Sequence, residues 1–230
     1  MKSLYWSHNM DNVYGAFIVR VNGNETSENL AQRCAASCDR VGQKYEFWDA
    51  YNGISNPIQK PNHHNNTMDL LKITDHYLTR GEVACAMSHI SLWIKCILLD
   101  QPIVILEHDA IMLKQYNIHP LYNSIAYLGG REQKEQHWPV KSIPPFASEG
   151  LNYHFICRAH AYAIDPIVAK NMLAHVIKMG IHAPLDIMLR ADLFPIHQLD
   201  LFAYDLDGET TILERPKDGR TTEKNDNLER

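Results

Sequence analysis

The sequence predicts an α/β domain, because strand-like apolar runs alternate with helical stretches along the chain. Residues 15–22 and 45–49 are short apolar runs rich in β-forming residues, and a stretch with helix signals separates them. A second helical stretch at 81–99 leads into an apolar run at 103–106, of the kind that a strand buried on both faces requires. A strand–helix–strand order indicates a right-handed crossover between parallel strands.

Length, charge and cysteine content limit the class of protein. The 230 residues predict one domain over 1–206 and a polar, flexible tail over 207–230. The net charge of −5 argues against a broad nucleic-acid or membrane surface. We find no secretory signal and expect no transmembrane segment. The 5 cysteines lack metal-type spacing, which indicates reduced thiols in a cytoplasmic protein.

Local signals place the elements of the first third of the chain. The first helix is expected to begin after Ser27, because serine is a good N-terminal cap, and to end at Val41 before Gly42. Residues 54–69 are rich in asparagine and histidine and contain two prolines, a composition typical of a loop. A short helix is expected over Leu70–Leu78, before the central helical stretch.

The second half of the chain has one strongly marked helix. Residues 166–179 follow an aspartate cap, begin with proline and precede a glycine. A strand over 125–128 is expected to stop at Gly129, and residues 154–164 read as one long strand or a strand pair. In the intervening irregular stretch, Trp138 could stack on a sugar ring or close the loop against the core.

Two acidic residues follow the central apolar run. If the backbone is extended there, Glu107 and Asp109 point the same way, and two carboxylates suit a hard cation that would in turn bind a diphosphate. The alternative is a strand that ends in a solvated acidic turn. Ser88 and His89 do not form a nucleophile–base pair, because neighbouring helical residues point about 100° apart.

This central stretch resembles glycosyltransferase family 25, which includes lipooligosaccharide and collagen galactosyltransferases. The family has a Gly-Glu-x-x-Cys-x-x-Ser-His-x-x-x-Trp helix and then a strand ending in Glu-Asp-Asp. The matching positions are Gly81, Glu82, Cys85, Ser88, His89, Trp93, Glu107 and Asp109. The departure is His108, which replaces the middle acid with an imidazole, a softer metal ligand than carboxylate.

The resemblance implies a GT-A fold, a mixed sheet with helices on both faces. It also implies transfer of galactose or glucose from a UDP-sugar to a hydroxyl acceptor with inversion at the anomeric carbon. Glu107, His108 and Asp109 would hold Mn²⁺ or Mg²⁺. Residues implied to bind substrate are Asn22, Ala50, Glu82, Ser88, His89 and Gly129.

Further positions carry over from the family less completely. Asp186 matches a Pro-x-Asp motif and would be the base for the acceptor hydroxyl, although it could instead be a metal-side ligand or a helix cap. His197 is a candidate late metal ligand, or an ordinary strand residue. The family's arginine falls on Asn29 and another basic position on Glu25, so the positive charge for a diphosphate must come from elsewhere.

Two other functions fit the same residues. One is a UDP-sugar-binding protein with lost or weak turnover, because His108 and Asn29 depart from the family pattern. The other is a metal-dependent phosphoesterase or nucleotidyltransferase that uses the same acids. The acceptor, whether a glycan, a lipooligosaccharide, a protein or another hydroxyl-bearing molecule such as a modified nucleic-acid base, is not revealed by the sequence.

Overall fold

The computed structural model describes residues 11–131, 141–142, 146–148, 151–153, 156 and 158–205. The strands are β1 (Ala16–Arg20), β2 (Tyr45–Asp49), β3 (Ile103–Glu107), β4 (Ala110–Met112), β5 (Ile125–Arg131), β6 (Lys141–Ser142), β7 (Phe146–Ser148), β8 (Leu151–Tyr153), β9 (Ala161–Ile164) and β10 (Ile196–Asp205). The α-helices are α1 (Glu25–Val41), α2 (Arg80–Leu99), α3 (Pro166–Met179) and α4 (Leu185–Met188), and a 3-10 helix covers Asn66–Leu70.

One mixed sheet organises the described residues. Its strand order is β2-β1-β3-β9-β5-β10-β4, with β6 also paired to β10, while β7 and β8 pair with each other. Strand β1 is parallel to both β2 and β3, whereas β9 runs antiparallel between β3 and β5. The predicted parallel strands at each end of the first helix are therefore confirmed, and so is the α/β class.

Helices cover both faces of the sheet because the strand side chains alternate. Phe17 and Ile105 belong to the core cluster that contains residues of α2 and α3. Their neighbours Ile18 and Leu106 belong to the other cluster, with residues of α1. All four side chains are fully buried, so the central strands have two apolar faces, as the run at 103–106 predicted.

Helix α2 begins and ends as its sequence indicates. Thr79 and Glu82 form a capping box, and the helix stops at Leu99, before Asp100 in a left-handed conformation. Contrary to the sequence expectation, this helix is long and apolar enough to cross a membrane by length and composition alone, but 67% of its apolar stretch is buried inside the protein. Its apolar surface on all sides is explained by its position in the core.

Several predicted boundaries are wrong. The cap of α1 is Asn24, whose side chain accepts a hydrogen bond from the Ser27 amide. Leu70–Leu78 is not an α-helix: Leu70 ends the 3-10 helix, Ile73 pairs in parallel with Ile181, and turns follow before α2. Strand β5 continues through Gly129, since Gly129 pairs with Ala203 of β10.

The helix over 166–179 is confirmed as α3, with Asp165 as its cap. In the predicted strand over 154–164, the structure assigns 161–164 to β9 and gives no strand to the other positions it describes there. Trp138 and the proposed tail at 207–230 lie outside the described residues, so those two predictions stay predictions.

Candidate active site

A cleft lies at the carboxyl ends of β1 and β3, beside the first turns of α2. This is the position at which ligands bind in open α/β sheets. The structure brings six of the predicted site residues into its lining: Ala50, Ser88, His89, Glu107, His108 and Asp109. They come from three separate parts of the chain, so the fold assembles them.

The cleft is open because glycines and small residues line the start of α2. A Cβ atom on Gly53 would lie 2.5 Å from the Arg80 carbonyl oxygen, so only glycine lets the loop after β2 pack directly on the helix. Gly81 and Ala84 then leave space in front of the first helical turn. The lining residues of α2 recur at helical spacing, so one flank of the first turns forms a wall of the cleft.

Glu107 is held by a chain of buried side chains. Its Oε1 lies 3.4 Å from His89 Nε2, and His89 Nδ1 lies 3.0 Å from the Tyr162 hydroxyl. Trp93 Nε1 donates to that same hydroxyl at 3.0 Å. Burial alone would raise the pKa of Glu107, but the His89 interaction, with smaller effects of His108 and His160, leaves this pKa below its ordinary value.

Cys85 lies against the same carboxylate. Its Sγ is 3.9 Å from Glu107 Oε1. Burial, followed by the negative charges of Glu107 and Asp186, raises the pKa of the thiol well above its ordinary value. The ligand atoms of Cys85, His89 and Glu107 all lie within 4.8 Å of one another. These three side chains therefore form a group with the spacing of metal ligands.

The backbone is not extended after Glu107, so strand alternation does not explain the placement of Glu107 and Asp109, although both line the cleft. Strand β3 ends at Glu107 and the next two residues form a turn into β4, so the alternation of a strand does not continue. His108 Nδ1 instead lies 3.3 Å from the hydroxyl of Ser27, which also accepts the amide of Val21. The turn therefore leaves all three predicted metal ligands in the cleft lining, with His108 Nδ1 directed to Ser27.

Asn22 lies beside the cleft rather than in it. It lines a neighbouring polar pocket that shares Ala50 with the cleft. Its side-chain amide donates to Asp49 Oδ2 at 3.4 Å. Ser88, which is fully buried, donates to the Ala84 carbonyl and accepts the Tyr51 amide, so this serine fixes the loop after β2.

Besides Asn22, two further predicted substrate residues, Glu82 and Gly129, are placed outside the cleft lining. Glu82 forms the cap of α2 through the Thr79 amide and hydroxyl, a structural position. Gly129 packs on the buried ring of His160, because a Cβ atom at this position would lie 2.3 Å from His160 Nε2. For Glu82 and Gly129, the structure therefore supplies a packing reason for the residue type.

Asp186 lies near enough to the cleft for its charge to act on Cys85, whereas His197 lies away from the cleft. Asp186 lies in α4 rather than at its cap, which is Pro184, and its charge acts on the Cys85 thiol. His197 pairs with Ala126, in a row of the sheet three residues before Glu107. The strand register therefore places His197 away from the carboxyl end at which the cleft lies.

Sequence reasoning missed Arg20. This residue ends β1 and lines the cleft, with its Nε 3.2 Å from Asp49 Oδ1 and its guanidinium 4.5 Å from the centre of the Phe47 ring. Its signal was a lone basic residue at the end of the first apolar run. Arg20 supplies positive charge that the departures at Asn29 and Glu25 left unassigned.

A family comparison agrees with this geometry. The sequence profile of glycosyltransferase family 25, described as LPS biosynthesis protein, matches residues 25–189. The chain belongs to glycosyltransferase family 25. As a family-25 member it is a glycosyltransferase, and such an enzyme acts on a sugar donor and an acceptor. The matched range runs from α1 to just beyond α4 and includes the acidic strand end.

Individual curated proteins and solved structures resemble this chain less than the family profile does. No curated protein matches the chain. Among solved structures, the chain is similar to galactosyltransferase LgtC in complex with donor and acceptor sugar analogs. The identity is 10%, the TM-score is 0.41, and the match covers 80% of this chain and 72% of that one.

Proposed function

We propose that this family-25 protein transfers galactose or glucose from a UDP-sugar to a hydroxyl acceptor with inversion. The observation that carries the proposal is the convergence of Ala50, His89 and Glu107 in one cleft at the strand ends. These residues are distant in sequence, and each was implied by its resemblance to the family motif. A shared cleft supports a common role in binding the donor.

The charges around the cleft suit a nucleotide diphosphate. Arg20 brings a guanidinium to the cleft lining beside the acidic strand end. The neighbouring polar pocket contains Asn22, Asn52 and Gln59, whose amides can pair with the donors and acceptors of a base and ribose. The two pockets meet at Ala50, so one extended ligand could occupy both.

Carboxylates at the cleft fit a hard cation. We assign Glu107 and Asp109 to Mn²⁺ or Mg²⁺, both of which prefer oxygen ligands. His108 is the third predicted ligand, although in this structure its Nδ1 is directed to Ser27. When bound, such an ion would offset the charge that develops on the departing UDP.

The transfer itself needs a base on the acceptor side. We assign this role to Asp186, whose charge already acts on the cleft residue Cys85. The acceptor oxygen would bond to the anomeric carbon while the bond from that carbon to UDP breaks, and Asp186 would take the hydroxyl proton. Attack on the face opposite UDP gives inversion. A glycan, a lipooligosaccharide or a protein could supply the hydroxyl, and we place the reaction in the cytoplasm.

The test is thermal unfolding with UDP, with and without Mn²⁺, in the wild type and in Asp109→Ala. UDP at about a hundred times its dissociation constant should add roughly 2.7 kcal/mol, or on the order of 5–10 °C for a chain of this size. We expect a Mn²⁺-dependent rise in the wild type that Asp109→Ala removes. Asp39→Ala, on α1 and outside the cleft lining, is the matched control and should keep the rise.

Donor turnover then separates this proposal from its alternatives. Release of UDP from UDP-galactose or UDP-glucose, increased by an acceptor, would support transfer. A UDP-dependent rise without any release would favour a donor-binding protein. Cleavage of nucleotides regardless of the sugar would favour a phosphoesterase, and no response to any nucleotide diphosphate would refute the donor site.

A further inference from the structure

Three side chains in the cleft have ligand atoms close enough to share one metal ion. Glu107 Oε1 lies 3.4 Å from His89 Nε2 and 3.9 Å from Cys85 Sγ, and all three ligand atoms lie within 4.8 Å of one another. Zinc bonds of about 2.0 Å to nitrogen and oxygen and about 2.3 Å to sulfur give ligand–ligand distances of roughly 3.3–3.5 Å in a tetrahedron. Small side-chain movements would bring this group to those distances.

Secondary structure explains why these three residues meet. Cys85 and His89 are four residues apart on α2, so they lie on one face of the helix. The same helical spacing places two ligands on zinc in histidine-pair metalloenzymes. Glu107 comes from the end of β3, which faces that side of α2 and supplies the third ligand.

The imidazole of His89 is oriented as a metal ligand requires. Its side chain is 1% exposed, and its Nδ1 pairs with the Tyr162 hydroxyl, which in turn accepts from Trp93. This arrangement directs Nε2 towards Glu107, and Nε2 is buried without a well-formed hydrogen bond. Ligating histidines characteristically have their second ring nitrogen fixed in this way.

We propose that Cys85, His89 and Glu107 bind a thiophilic divalent cation of the Zn²⁺ class, with the fourth position open to the cleft. A sulfur–nitrogen–oxygen set suits Zn²⁺, whereas Mg²⁺ and Mn²⁺ favour oxygen. The metal replaces the proton of the Cys85 thiol, which is released to solvent as the sulfur–metal bond forms. Because Glu107 would serve both cations, Zn²⁺ bound here excludes the hard cation from this carboxylate.

Cobalt is the probe, because Co²⁺ occupies zinc sites and is coloured. Titrating the wild type with Co²⁺ should produce a thiolate-to-cobalt charge-transfer band in the near ultraviolet and intense visible bands of tetrahedral Co²⁺. Zn²⁺ should then remove these bands, and a pH indicator should register proton release. This measurement requires no sugar nucleotide, so its outcome is independent of the proposed transfer.

Variants assign the bands to the site. Cys85→Ser should abolish the charge-transfer band, and Glu107→Gln should weaken Co²⁺ binding at least about tenfold while keeping a sulfur signal. Cys38→Ser, a buried thiol on α1, is the matched control and should keep the band. A band that persists in Cys85→Ser, or the absence of any band in the folded wild type, would overturn the proposal.

Discussion

Tyr162 determines the direction of the hydrogen bonds behind the cleft acids. Trp93 Nε1 can only donate, so the Tyr162 oxygen accepts from it at 3.0 Å. Ionised Glu107 can only accept, so His89 Nε2 carries the proton that faces this carboxylate. In the neutral ring, His89 Nδ1 is then an acceptor for the Tyr162 hydroxyl. Without a metal, the phenol group therefore sets the tautomer that His89 presents to Glu107; a metal bound at Nε2 would move this proton to Nδ1, which would then donate to the Tyr162 oxygen.

Tyr162→Phe is expected to reduce both stability and metal binding. Removing the hydroxyl leaves the buried Trp93 and His89 groups without their partner, which costs about 1–3 kcal/mol in unfolding free energy. Because His89 would lose its fixed orientation, Mn²⁺ or Co²⁺ binding should weaken at least about tenfold. Urea unfolding and metal titration measure the two effects separately.

The chain provides a matched control for this change. Tyr116 is also buried, and its hydroxyl lies 2.8 Å from His119 Nδ1, away from the cleft lining. Tyr116→Phe should cost a similar unfolding free energy and leave metal binding unchanged. Equal losses of metal binding in both variants would show that Tyr162 acts only through general stability.

The contact between Gly129 and His160 gives a second prediction at this scale. A methyl group at position 129 would overlap a ring that is 1% exposed, so Gly129→Ala should cost about 1–3 kcal/mol of unfolding free energy. Combining it with His160→Ala removes the overlap, and the double variant should be more stable than the sum of the single changes predicts.

Urea unfolding of the two single variants and the double variant measures this coupling. Gly23→Ala is the comparison, because no atom lies within 4 Å of a Cβ atom at that position and its φ of +79° alone opposes alanine. That change should cost about 1 kcal/mol and show no coupling to His160. Additive costs at Gly129 and His160 would contradict the packing account.

At the scale of elements, the amino end of α1 has two adjacent roles. Asn24 caps the helix, while the Ser27 hydroxyl accepts the Val21 amide at 2.9 Å and contacts His108 at 3.3 Å. Ser27→Ala should therefore cost about 1–2 kcal/mol and weaken UDP binding, because Val21 and His108 both line the cleft.

Asn24→Ala is the control for that prediction, since Asn24 supports the helix end but does not line the cleft. It should cost about 1 kcal/mol of unfolding free energy and leave UDP affinity unchanged. Calorimetric titration of UDP into both variants separates the roles. Weaker UDP binding in Asn24→Ala but not in Ser27→Ala would reverse our assignment.

Elements with local signals were predictable, and those set by distant partners were not. The limits of α3 follow from Asp165, Pro166 and Gly180, all within one turn of its ends. The segment over Leu70–Leu78 has apolar residues but takes its conformation from pairing with Ile181, over a hundred residues later in the chain. Local sequence carries no information about such a partner.

The same distinction applies to the site in the whole molecule. Glu107 and Asp109 could be identified from their place after a buried strand, yet the turn that follows Glu107 leads into β4, whose pairing with β10 the local sequence does not reveal. That pairing also places Asp205 beside Ala110, where it binds Arg158 at 2.6 Å. Sequence reasoning missed this ion pair, because its members come from separate late segments.

Histidines give the whole molecule a pH dependence of known sign. Burial lowers the pKa of His119, His160 and His175 below the ordinary value of 6.5. Between the unfolded and folded pKa values the unfolded chain binds more protons, so the stability that these neutral rings contribute is present above 6.5 and is lost as pH falls below it. The free energy of unfolding should therefore decrease from about pH 7.5 to about pH 5.5.

Urea unfolding across that range tests the prediction, and His119→Gln identifies one contributor. Removing its titration should flatten the pH dependence, even though the lost Tyr116 contact lowers stability at every pH. Glu107 and Asp69 do not contribute to the slope in this pH range. Folding lowers their pKa values, so their effect on the free energy of unfolding is confined to pH values below the ordinary pKa values of 4.5 and 3.8. An unchanged slope in His119→Gln, or greater stability at the acidic end, would show that the buried rings do not set the acid sensitivity of the fold.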